Sequence, residues 1–130
     1  MQVGDKSAWE RSFTEEDVRL FALLSGDQGE HHITADSHGR LMVHGLLTAT
    51  LPTKLGGDLN YIAGNMTFEF LRPVFVGDTI RCEAVIMRIE EVTERVQMDI
   101  NFSCRNQKGK EVLRGQTSGI VRVPATTEKN

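Results

Sequence analysis

Leu41-Met-Val-His-Gly-Leu-Leu-Thr-Ala-Thr-Leu-Pro-Thr-Lys-Leu-Gly56 carries apolar residues on almost every helical face as far as Leu51. A helix that is apolar all round is a buried helix. Pro52 has no N–H to give and is expected to kink it, and Gly56-Gly57 reads as its end. A lone buried helix needs something to wrap it, and the rest of the chain supplies that. Tyr61–Phe70 alternates loosely through Ile62, Gly64, Met66, Phe68 and Phe70. Thr79–Ile89, Arg95–Cys104 and Val112–Val123 each alternate apolar and polar residues, as half-buried strands do. A turn-rich bridge, Arg72–Asp78, precedes them, and the short links Glu90–Glu94 and Asn106–Lys110 read as hairpin turns. The expected fold is α+β, an antiparallel sheet wrapped around one central helix.

Working back towards the N-terminus, Trp9–Phe13 reads as a weak strand. Thr14-Glu15-Glu16-Asp17 reads as a helix start, with Thr14 as cap and acids in the first turn near the positive end of the dipole. Val18, Phe21, Ala22 and Leu24 are spaced for one buried face, and Ser25-Gly26 ends the helix. Residues 26–40 are polar and aperiodic and read as a loop. That loop holds His31, His32 and His38, with His44 close behind, and loops on a rigid scaffold are where function concentrates. Residues 1–124 are expected to form one domain, and 125–130 a polar, frayed tail.

The chain has 130 residues and a formal charge of −3, which suits one domain and argues against nucleic acid or an acidic membrane surface as partner. No stretch approaches the roughly 20 apolar residues of a membrane span, and Met1–Glu10 lacks the apolar run of a signal peptide. Cys82 and Cys104 match neither a zinc nor a redox motif and read as small core residues, in keeping with cytosolic usage. The four histidines fit no standard zinc spacing. The expectation is a soluble, cytoplasmic protein without metal or cofactor.

Four stretches, in order, resemble the MaoC-like hydratases and dehydratases, the (R)-specific enoyl-CoA hydratases among them, which have the hot-dog fold. They are Phe13-Thr14-Glu15-Glu16-Asp17-Val18 with Leu24-Ser25-Gly26-Asp27, the five-residue step from Asp27 to His32, Val43-His44-Gly45-Leu46, and Phe68–Asp78. The resemblance implies (R)-specific hydration of a trans-2-enoyl-CoA to a 3-hydroxyacyl-CoA, or the reverse dehydration. It implies an acyl-CoA thioester as substrate and a homodimer or larger homo-oligomer, with the pantetheine arm entering between subunits. Asp27 and His32 would divide the acid and base work on a shared water, a task suited to an imidazole. The Gly45 backbone N–H, at the start of the buried helix, would hold the charge that develops on the thioester oxygen.

Each residue also has a plainer reading. Gly45 can simply allow close packing. His31 is the rival of His32. His44 reads as a structural, helix-entry residue and His38 as surface. Arg72-Pro73 reads as a bend in preference to a CoA phosphate contact. The chain departs from the family pattern Asp-x-Asn-Pro-x-His at Gly29 and Glu30, where a flexible residue and an added carboxylate replace Asn and Pro. It is also short between His32 and Val43-His44-Gly45. Two other activities therefore stand beside the first. One is a hot-dog acyl-CoA thioesterase, with Glu30 or Asp27 activating water. The other is a non-catalytic acyl-CoA-binding module.

Overall fold

The structure, a computed structural model, describes residues 1–122. Val123 and the expected tail at 125–130 lie outside the described residues. The elements run β1 (Lys6–Ser12), α1 (Glu15–Ser25), α2 (Glu30–Ile33), α3 (Gly45–Thr48), α4 (Thr50–Asp58), β2 (Tyr61–Phe70), β3 (Thr79–Val92), β4 (Arg95–Arg105) and β5 (Glu111–Arg122). The strands form one antiparallel sheet in the order β1-β3-β4-β5-β2. Its concave face holds the helix α3–α4, and α4 packs against β1, β2 and β3.

The period-2 pattern sets the core. On β3, Ile80, Cys82, Ala84 and Ile86 point inward, and Met98, Ile100, Phe102 and Cys104 do so on β4. They meet Leu47, Leu51 and Leu55 of the central helix, which are buried at helical spacing. Burying each of these side chains contributes roughly 1.5–3 kcal/mol. Cys82 and Cys104 face each other across the β3–β4 register, both fully buried. Hydrogen bonding to Cys82 and burial push the Cys104 thiol well up, so these are core residues, as expected.

The central helix is shorter at its start and longer at its end than its apolar run suggests. Residues 41–44 are extended instead of helical, with Met42 bridging Phe75 and the Val43 N–H donating to the Val74 carbonyl. Helix begins at Gly45, breaks at Ala49 and resumes at Thr50. The break lies where Pro52 cannot give Thr48 the usual fourth-residue hydrogen bond, so the expected kink is present. Gly56-Gly57 does not stop the helix, which runs to Asp58. Nor is it buried all round, because Leu46 is 59% exposed.

In α1 the capping box forms as expected. The Asp17 N–H donates to Thr14 Oγ1, and the Thr14 N–H to Asp17 Oδ2. The helix ends at Gly26 in the left-handed region, φ +79°. Its buried face is Val18 and Ala22, with Phe21 half-buried, whereas Leu24 is 85% exposed and does not belong to it. In β2 a register shift between Ala63 and Asn65 reverses the faces. Tyr61, Met66 and Phe68 therefore pack on the core and Ile62 stands exposed; Phe70, on the side of Met66 and Phe68, is also exposed and lies against Gly45. The β3–β4 turn is tighter than expected, with strand on both sides of Thr93-Glu94.

Candidate active site

The segment after α1 was expected to be loop throughout. It contains one helical turn, α2, and short-range bonds order the rest. Ser25 Oγ accepts the Asp27 N–H, and Asp27 Oδ1 accepts the Gly29 N–H. The His32 N–H donates to the Gly29 carbonyl and closes the turn of α2. The Met42 N–H donates to the His31 carbonyl, which ties the turn to the strand-like entry of the central helix. These bonds do the work that a proline at position 30 would otherwise do through a fixed φ. Position 30 is the first residue of α2, where proline is favoured in general.

Asp27 and His32 come together. Asp27 Oδ2 and His32 Nε2 are 3.8 Å apart, with the imidazole buried and the carboxylate about half exposed. That separation is too long for a hydrogen bond and leaves room for a shared water. His32 Nδ1–H donates to the Met42 carbonyl at 2.8 Å. Facing a carbonyl, Nδ1 must carry the hydrogen, so Nε2 is the nitrogen presented to Asp27. The Gly29 N–H holds the Asp27 carboxyl below its ordinary value against the opposing effect of desolvation, and the neighbouring imidazoles add to the lowering. Asp27 is therefore a carboxylate at neutral pH.

Three imidazoles are clustered beside it. His31 and His32 have ring centroids 3.9 Å apart, and His32 and His44 3.8 Å apart and nearly parallel, at 17°. His31 is exposed, and its ring occupies the space beside Gly29, where an added Cβ would lie 2.9 Å from it. His44 is buried, and its Nε2–H donates to the Asp27 main-chain carbonyl at 2.9 Å. It stands at the cap position of α3, but its side chain makes no capping bond. His44 is thus the helix-entry residue expected, and its side chain adds a link to the Asp27 segment. Asp27, His32 and His44 have ligand atoms within 4.8 Å of one another. Lone pairs in two near-parallel ring planes 3.8 Å apart do not converge on one point, so this arrangement is poorly shaped to bind a metal ion.

These side chains line a cleft of about 670 Å³ that also includes Gly45, Thr48, Phe70 and Arg72. Gly45 is close-packed, since a Cβ there would lie 2.6 Å from the Phe70 ring. The close packing expected of Gly45 is therefore present, and its N–H is without a partner among the described residues. The helix that follows is a single turn before the break at Ala49. Arg72 Nη1–H donates to the Glu111 carbonyl at 2.6 Å, which fastens the bend to β5. Glu30 is exposed and does not line the cleft, and His38 lies on the surface beside Ser37. Phe70 and Thr48 carried no sequence signal as site residues. Phe70 reads as one more alternating strand position, and Thr48 as one more residue of the helix. A second cavity of about 420 Å³ lies between α4 and the sheet, around Tyr61, Met66, Ile86 and Phe102, and holds none of the expected site residues. No helix among the described residues is long and apolar enough to cross a membrane.

Residues 4–108 match the family model described as a MaoC like domain. An (R)-specific enoyl-CoA hydratase of Rhodospirillum rubrum is 29% identical over 133 residues, spanning 94% of this chain and 88% of that protein. Among solved structures, the (R)-hydratase from A. caviae involved in PHA biosynthesis superimposes with a TM-score of 0.80 at 27% identity, covering 95% of this chain and 98% of that one. An R-hydratase from Pseudomonas aeruginosa gives 0.75 at 26% identity, covering 97% and 88%. The architecture shared with them, a five-stranded antiparallel sheet around a central helix, is the hot-dog fold.

Proposed function

The chain belongs to the family of MaoC-like domains, and from that premise we propose that it catalyses (R)-specific hydration of a trans-2-enoyl-CoA, or the reverse dehydration of a 3-hydroxyacyl-CoA. The observation that carries the reading is the facing of Asp27 Oδ2 and His32 Nε2 across 3.8 Å at a cleft that also contains the Gly45 N–H. Water bound between the two side chains attacks the β-carbon. The Asp27 carboxylate takes a proton from that water as the carbon–oxygen bond forms. The electron pair of the double bond moves towards the thioester, whose oxygen receives the Gly45 N–H. Nε2 of His32, in its protonated form, then delivers a proton to the α-carbon. Proton transfer from Asp27 to His32 through the next water restores both groups, and the sum is addition of one water. Positioned proton transfer contributes about 10²–10⁴-fold, and an aimed oxyanion donor about 10²–10³-fold.

We propose further that two copies pair through the open edge of β2, the terminal strand of the sheet. An unpaired strand edge is a natural pairing surface. Ile62 and Phe70, both about half exposed on β2, add apolar area to it.

The direct test is to add trans-2-enoyl-CoAs of several chain lengths and follow loss of the conjugated thioester absorbance. Folded protein that turns over none of them rules the proposal out. Saturated acyl-CoA assayed alongside, with thiol release as readout, tests the thioesterase alternative. That reading is weakened by the place of Glu30 outside the cleft.

A further inference from the structure

Among the described residues only two buried side-chain atoms lack a hydrogen-bond partner, Nδ1 of His44 and Oγ1 of Thr48. They lie one helical turn apart and both residues line the cleft. Unpaired buried polar atoms are costly, so two of them beside a candidate catalytic pair call for a physical reason. His44 offers one. Its Nε2–H is spent on the Asp27 carbonyl at 2.9 Å, which leaves Nδ1 as an acceptor. Thr48 has a hydroxyl hydrogen to give. The two needs are complementary, and rotation of Thr48 or one water between them satisfies both. Meanwhile the other face of the His44 ring is closed by Phe21, edge to face at 4.9 Å, while the His32 ring is stacked on it at 3.8 Å.

We infer that His44 is a positioning residue. It fixes the Asp27 main chain through its Nε2–H, with the His32 ring packed against it, and through that bond sets the 3.8 Å separation of the pair. This rests on the hydratase reading only for its effect on rate. Met42 holds the chain at His31 and His32, but among the described residues Asp27 itself is bonded to the entry of the central helix only through His44. A misplacement of about 1 Å at such a pair costs on the order of 10²-fold in rate.

Two variants separate positioning from bulk. His44→Phe keeps ring volume and stacking but removes the donor. His44→Gln loses the ring but sets an amide N–H near the place of Nε2. The expected result is a kcat lower by about ten- to hundredfold for His44→Phe with KM little changed, and recovery of most of that loss in His44→Gln. Equal kcat loss in both variants, or wild-type kcat in a folded His44→Phe, overturns the inference. A further measurement needs neither variant nor turnover. Imidazole NMR of the wild-type protein should find the neutral His44 ring as a single Nε2–H tautomer and the neutral His32 ring as a single Nδ1–H tautomer. A tautomer mixture at either ring overturns the inference whatever the activity proves to be. If no enoyl-CoA is hydrated but both tautomers are fixed, the hydratase reading fails while the positioning role stands.

Discussion

Asp27 Oδ2 and His32 Nε2 face each other at 3.8 Å, near enough to hold one water between them and too far apart to bond directly. The imidazole is fixed from behind by the Met42 carbonyl and the carboxylate by the Gly29 N–H. Each therefore keeps one atom turned towards the cleft.

Replacing either member should abolish most of the hydration. Asp27→Asn is expected to lower kcat about 10²–10⁴-fold with the thermal midpoint nearly unchanged, since the side chain is exposed. His32→Ala is expected to lose a similar factor and also about 1–3 kcal/mol of stability, through the unpaired Met42 carbonyl. His31→Ala should change both quantities far less, because His31 is exposed and does not present a fixed nitrogen to Asp27. Steady-state kinetics and thermal unfolding on the three variants check this, and a dominant loss in His31→Ala would reverse the assignment.

The pH profile follows from the Gly29 N–H. That bond depresses the Asp27 pKa below its ordinary value of 3.8, so the carboxylate is favoured in the fold. Its stabilising contribution is complete above the unfolded-state value and is lost as pH falls through the folded one. The acid limb of kcat/KM is expected to have its midpoint below the ordinary carboxylate value. Gly29→Pro removes the N–H at a position whose φ of −52° suits proline, at the cost of displacing the exposed His31 ring, which would lie 2.9 Å from the new Cβ, and it should move that limb upward. An unchanged limb would show that another group sets it.

Gly45 and Phe70 can be separated by a double substitution. Gly45→Ala places a methyl 2.6 Å from the Phe70 ring and is expected to cost about 1–3 kcal/mol through overpacking. Adding Phe70→Ala should relieve that strain. If the double variant regains stability but not kcat, beyond the effect of Phe70→Ala alone, unhindered approach to the Gly45 N–H is what glycine provides. Full recovery of kcat would reduce Gly45 to packing.

Light scattering at micromolar concentration should give the mass of two chains or a multiple of two, in line with symmetric pairing at the β2 edge. A monomer at that concentration contradicts the pairing.

The sequence by itself determined what local physics sets. Alternation in 79–89, 95–104 and 112 onward fixed three strands, the Thr14–Asp17 box fixed the start of α1, and the apolar run to Leu51 marked the helix inside the sheet. The resemblance to the MaoC-like pattern, which includes the five-residue step from Asp27 to His32, brought those two forward as a pair. Tertiary structure decided the rest. The apolar residues at 41–44 became an extended entry because Met42 and Val43 pair with Phe75 and Val74, partners some thirty residues on. Leu24 fell on the exposed side of α1 because Val18, Phe21 and Ala22 make the face turned inward. Whether His31 or His32 faces Asp27 was decided with the help of the Met42 carbonyl, and the ring partner of His44 is the carbonyl of Asp27, seventeen residues earlier. Periodicity reports which side of an element is buried, whereas a ring nitrogen's partner depends on chain segments that meet only on folding.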